Sequence, residues 1–226
     1  MPAALITGGS SGIGLAIARM LREEGYDLTI SARNEERLAA AAEELGAHAV
    51  TANVAVEEDC VRLVQEHVER FGRIDVLVNS AGVGVGGNVE QLTTKKWDLQ
   101  LAVNLRGAFI VTRESIPKLK ESRGVVVNLA SIAGTIPTPG LAAYGASKAA
   151  LISLTKSMNR ELENDGVRLC AICPGFVDTP MASWTGMSAE EMIHPDDCAE
   201  VVRMLLKLSP AARIPQVVIE RLGESP

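Results

Sequence analysis

Seven short apolar runs, each parted from the next by a stretch with helical periodicity, constrain this chain more than any other feature. The runs fall at 3–7, 28–32, 47–52, 74–79, 125–130, 167–173 and 216–219, with helices expected at about 12–24, 35–45, 57–70, 94–121, 141–164 and 195–208. Val125-Val126-Val127 is apolar at consecutive positions, so a strand there needs cover on both faces. Strands alternating with helices give a parallel sheet, doubly wound through right-handed crossovers. The 226 residues contain no internal repeat, low-complexity tract or linker. The sequence therefore predicts one α/β domain over 1–226, with a seven-stranded parallel sheet and helices on both faces.

In such a sheet, ligands bind beyond the carboxyl ends of the strands. The distinctive residues of this chain fall there. Thr7-Gly8-Gly9-Ser10-Ser11-Gly12-Ile13-Gly14 joins the first strand to the first helix. Its glycines allow a tight turn and close approach to a pyrophosphate, and the helix N-terminus adds free N–H groups. Arg33 follows the second strand, Asn53-Val54 the third and Asn79-Ser80-Ala81-Gly82 the fourth. Ser131 follows the fifth and Pro174-Gly175 the sixth. This context, strand then glycine turn then helix, is the one a dinucleotide site of the Rossmann type requires.

Tyr144-Gly-Ala-Ser-Lys148 lies thirteen residues beyond Ser131. On a helix, Tyr144 and Lys148 share a face. A phenol near pKa 10 is a poor acid/base at neutral pH, and a close ammonium favours its phenolate. Lowering it to about 7 takes about 4 kcal/mol.

Composition excludes several classes. A net charge of −6 argues against a nucleic-acid surface. No apolar run approaches the roughly 18 residues of a membrane span, and with the first strand opening at about residue 3 a cytoplasmic location is expected. Cysteines stand at 60, 170, 173 and 198. Cys170 and Cys173, three apart on a strand, point to opposite faces, and His48, His67 and His194 are scattered, so no metal site is expected.

Taken together, these motifs resemble the short-chain dehydrogenase/reductase family over nearly the whole chain. The matching pieces are the turn at Gly8–Gly14, Asn79-Ser-Ala-Gly82, Asn104, Ser131, Tyr144-x-x-x-Lys148, and Pro174-Gly175 with Thr179. The resemblance implies a nicotinamide-dependent oxidoreductase with Tyr144 as general acid/base and Ser131 on the substrate oxygen. It implies that Lys148 tunes Tyr144 and holds the nicotinamide ribose, that Asn104 holds a relay water, and that Thr179 binds the carboxamide. Gly8, Ser10, Ser11, Gly12, Ile13, Gly14, Arg33, Asn53, Val54, Asn79, Ala81, Gly82, Pro174, Gly175, Val177 and Thr179 would contact the cofactor, with Tyr144 and Lys148. Three departures stand out. Asn53 replaces the usual aspartate, its amide oxygen still able to accept from adenine. Ser80 replaces the commoner asparagine or alanine. The chain reaches Pro226 without an Asp-Gly-Gly-like ending, which puts the family's tetramer in doubt.

Ser31-Ala32-Arg33-Asn34 closes the second strand with an arginine, where a carboxylate would mark NAD. Arginine pairs with a 2′-phosphate, so NADP(H) is the expected cofactor. Substrate choice is expected in a lid at about 176–195, with Met181, Trp184, Met187 and Met192, and in the wall of Val83, Val85, Thr135, Ile136 and Pro137. A small apolar ketone or aldehyde, or its alcohol, is the expected substrate. Reduction of a 3-oxoacyl thioester is the alternative, disfavoured by Asp165-Gly166 where carrier-protein relatives offer arginine. A non-catalytic NADP-binding sensor and an NAD-type dehydrogenase oxidising an alcohol are further readings, the latter opposed by Ala32-Arg33. The helix from 141 to 164, apolar on more than one side through Leu151, Leu154, Met158 and Leu162, predicts a homodimer.

Overall fold

The computed structural model describes residues 1–223. The chain end that bears on the tetramer, Pro226, lies outside the described residues. The seven strands are β1 (Ala3–Thr7), β2 (Asp27–Ala32), β3 (His48–Thr51), β4 (Val76–Asn79), β5 (Val125–Leu129), β6 (Arg168–Pro174) and β7 (Gln216–Ile219). They form one all-parallel sheet in the order β3-β2-β1-β4-β5-β6-β7. The order reverses between β1 and β4, which opens a crevice at their carboxyl ends. This is the doubly wound Rossmann-type architecture.

Consecutive apolar residues build two cores because a strand's side chains alternate. Ile6, Val78, Val127 and Cys170 face one layer, with α1 (Gly12–Glu23), α2 (Glu35–Leu45) and α7 (Pro195–Lys207). Leu5, Leu77, Val126 and Leu169 face the other, with α3 (Glu57–Phe71), α5 (Ala108–Ser122) and α6 (Ala142–Glu161). Cys173 joins Ala171 beneath α6, on the face opposite Cys170. Burial pushes the Cys170 thiol up to about 12.

Two expectations need correction. The helix expected at 94–121 is divided: α4 (Thr94–Leu101) passes into a π-helical stretch, Ala102–Gly107, before α5. Gly107 explains why the backbone fits there. A Cβ on it would lie 2.5 Å from the Val54 carbonyl oxygen, so the π stretch lies directly on the loop after β3. Leu151, Met158 and Leu162 are no free dimer face either, being buried in the chain's own cores. The exposed large apolar side chains of α4 and α5 are Trp97, Leu99 and Phe109.

Candidate active site

Thr7, the last residue of β1, fixes the floor of the crevice. Its hydroxyl accepts the N–H groups of Ser80 and Ala81, both at 3.2 Å. The glycine turn then closes against that loop. Gly8 has φ +69°, and a Cβ there would meet the Ala81 nitrogen at 2.8 Å. A Cβ on Gly14 would collide with the Gly8 carbonyl oxygen. Here the chain's own packing, as well as a ligand's approach, demands glycine.

A cleft of about 570 Å³ runs across these strand ends. Gly8, Ser10, Ser11, Gly12, Ile13, Arg33, Asn53, Val54, Ala81, Gly82 and Thr179 line it as the sequence suggests. Arg37 lines it too. This arginine stands in the first turn of α2, where spacing alone reads as an ordinary exposed helix position; its distance of four residues from Arg33 was the available signal. Ser31 borders the cleft with a buried hydroxyl that has no hydrogen-bond partner among the described residues. Such an orphaned group on a polar wall marks a place shaped for a ligand or ordered water.

Other expected contacts fall elsewhere. Gly14 is buried behind the turn. Asn79 turns inward, donating to Thr112 Oγ1 at 3.0 Å and Asn128 Oδ1 at 2.8 Å. Its amide ties β4 to α5 and β5 and lies off the cleft. Pro174 pairs with Ile219, and Gly175 donates its N–H to the Ile219 carbonyl at 2.9 Å. Val177 packs with Ile193 and Cys198. Asn53 Oδ1 accepts the Ala55 N–H at 3.2 Å, so the oxygen expected to face adenine is turned onto its own backbone.

At one end of the cleft, Gly82 meets the second group of residues. A Cβ on it would lie 3.5 Å from Asn104 Oδ1, 3.7 Å from Lys148 Nζ and 3.9 Å from Met181 Cε. Gly84 faces the Tyr144 ring at 3.7 Å in the same sense. Ser131 follows β5, and its hydroxyl caps the 3-10 turn Ile132–Gly134 by accepting the Ala133 N–H at 3.2 Å. A hydrogen bond with Ser131 also pulls the Tyr144 phenol down, against the larger upward push of burial. Asn104, Ser131, Tyr144 and Lys148 therefore converge on the glycine wall, from the π stretch, the end of β5 and α6.

Lys148 behaves differently from the expectation. Its ammonium donates to the Leu129 carbonyl at 2.6 Å and lies 5.6 Å from the centre of the Tyr144 ring. Burial lowers its pKa to about 8. Tyr144 is raised overall, burial outweighing the Ser131 hydrogen bond. Asn104 also differs from a simple water holder. Its Oδ1 accepts the Val83 N–H at 2.8 Å, and its Nδ2 donates to the Val83 carbonyl at 2.9 Å and Ser147 Oγ at 3.0 Å. With both amide hydrogens engaged, a water at this residue would meet its backbone.

The segment 176–195 closes over Gly82 and Gly84 through Met181. Its base is stitched by Ile193 N–H to the Phe176 carbonyl and Asp178 N–H to the Ile193 carbonyl, both 2.9 Å. Trp184 stands exposed, edge-on to Phe176 with ring centres 6.1 Å apart. Among the described residues no helix is long and apolar enough to cross a membrane.

Comparisons with known proteins agree with this geometry. The family described as short chain dehydrogenase matches residues 2–188. An uncharacterized oxidoreductase of Staphylococcus epidermidis is 36% identical over 219 residues, covering 96% of this chain and 95% of the relative. A 3-oxoacyl-[acyl-carrier-protein] reductase of Staphylococcus aureus is 38% identical over 185 residues, covering 79% and 75%. The solved alcohol dehydrogenase of the archaeon Thermococcus sibiricus, complexed with 5-hydroxy-NADP, superposes with a TM-score of 0.93 at 32% identity, covering 100% and 99%. With the family match spanning most of its length and full-length relatives above 30% identity, this chain is a dehydrogenase/reductase belonging to the short-chain dehydrogenase/reductase family.

Proposed function

We propose that this protein is an NADPH-dependent reductase of a small apolar ketone or aldehyde, working reversibly as an alcohol dehydrogenase. The carrying observation is the convergence of Ser131, Tyr144 and Lys148 where the long cleft meets Gly82 and Gly84. The cleft's glycine turn, Ser10, Ser11 and Thr179 would hold the dinucleotide. Arg33 and Arg37, both exposed on its rim, would take the 2′-phosphate. The bound cofactor supplies the hydride. Tyr144 Oη gives its proton to the carbonyl oxygen, and the Ser131 hydroxyl donates to that oxygen as its negative charge grows. The raised phenol pKa keeps Tyr144 protonated at neutral pH, as a proton donor for reduction must be. Lys148, already anchored on Leu129, adds positive charge below the ring. The lid over 176–195 and the wall at 83–85 would exclude water and select the substrate. The whole chain, 1–226, would act as one catalytic domain. Homodimerisation through the Trp97, Leu99 and Phe109 face of α4 and α5 belongs to the same proposal.

The test is NADPH oxidation over a panel of ketones, aldehydes and 3-oxoacyl thioesters, with Tyr144→Phe in parallel. We expect turnover of simple carbonyls that falls at least a hundredfold in the variant, while NADPH binding is retained. Turnover confined to the thioesters would replace the substrate assignment. Activity that survived in Tyr144→Phe would overturn the mechanism.

A further inference from the structure

Residues 82–87 read Gly-Val-Gly-Val-Gly-Gly and have no regular secondary structure, yet they form the wall beside Tyr144. Four glycines in six residues make one fixed conformation entropically expensive. Side chains, not a neighbouring strand, hold this wall. Asn104 grips both backbone groups of Val83. Gln100, one turn earlier on α4, accepts the Val85 N–H on Oε1 at 3.0 Å and donates from Nε2 to the Lys96 carbonyl at 3.3 Å. Beyond it, Gly87 N–H reaches the Gly140 carbonyl at 2.8 Å.

Gln100 also inverts the usual pattern of a surface helix. It is fully buried, while its neighbours Trp97 and Leu99 are 39% and 40% exposed. A buried carboxamide is stable only when its donor and acceptor are used, and the acceptor is used on Val85. Glycines flank Val85 on both sides, so without that bond Val85 could swing away while Asn104 still held Val83.

We propose that Gln100 is a positioning residue for the substrate site. It fixes the Val85 N–H so that Gly84 stays against the Tyr144 ring, and the wall keeps one shape for the groups flanking the reacting carbonyl. The role acts through the backbone, and the substrate consequence rests on the proposed reductase reading.

The test compares Gln100→Leu, of similar size but without the acceptor, with Gln100→Glu, which this buried site would keep protonated, so that it retains an acceptor for Val85 N–H and a donor for the Lys96 carbonyl. Amide hydrogen exchange, NADPH affinity and steady-state kinetics are read on each. In the wild-type protein the Val85 amide is expected to be protected although its segment is irregular. In Gln100→Leu, exchange over 83–87 rises roughly tenfold without a matching rise in β4 or β5. KM for a branched ketone rises more than kcat falls, NADPH affinity holds within about twofold, and Gln100→Glu recovers most of the loss. An unprotected Val85 amide in the wild type would overturn the proposal even if the variants failed to fold. So would unchanged exchange over 83–87 in a folded Gln100→Leu, or a KM that did not move. If the wild type reduced no carbonyl, the reductase reading would fail while the exchange data still decided the clamp.

Discussion

Lys148 sets burial directly against charge. Its side chain is only 5% exposed, and burial brings its pKa from 10.5 to about 8. Between those values the unfolded chain holds the extra proton and the folded chain does not, so this group adds stability as pH rises through the window. Below about 8 the folded protein carries the full cost of the buried ammonium, on the order of 3 kcal/mol. Cofactor-free Lys148→Met should therefore be most favoured over wild type near pH 7, with the difference narrowing toward pH 10 in denaturant unfolding. A difference independent of pH would mean that the ammonium is solvated. Arg33 poses a simpler question. If it grips the 2′-phosphate, Arg33→Ala should weaken NADPH binding by roughly ten- to a hundredfold, the worth of a charged hydrogen bond, and leave NADH binding little changed. An NADPH preference that survived would move the assignment to Arg37. The family's set of motifs, more than the spacing of any one, made Tyr144, Lys148 and Ser131 legible in the sequence. It could not show that Asn79 turns away from the cleft, because its partners, Thr112 and Asn128, lie 33 and 49 residues further along the chain.

Among the elements, strands were read to within about two residues because alternating layers dictate continuous apolar runs. The division of α4 from α5 was not legible. A π stretch disturbs helical periodicity by a single residue, within the tolerance of any amphipathic pattern. Asn104 and Gly107, both weak helix formers, were its visible traces. The close fit of Gly107 on Val54 gives a direct test. Gly107→Ala would improve helix propensity by about 1 kcal/mol yet force a methyl onto the Val54 carbonyl, at 2.5 Å. The steric term should win, with a net destabilisation of about 1–3 kcal/mol by thermal or denaturant unfolding. Because Val54 lines the cleft, NADPH affinity should fall as well. A stabilised variant would show that the π stretch relaxes freely to an α-helix.

At the scale of the whole molecule, the sheet order carries most of the meaning, since it brings together strand ends separated by more than a hundred residues. The four cysteines add a use that has nothing to do with catalysis. Cys60, Cys170, Cys173 and Cys198 are all free and buried, divided between the two layers flanking the sheet. Burial holds Cys60 at about 11, and Cys170 and Cys198 at about 12, so almost none is thiolate in the native state. Alkylation at pH 8 should wait on opening of the structure, giving one slow phase that modifies all four sites together if the sheet and both its layers part cooperatively. Early labelling of Cys198 alone, followed by peptide mass, would reveal that α7 detaches first. The chain thus carries four internal clocks, and their agreement or disagreement would read out how many pieces it comes apart in.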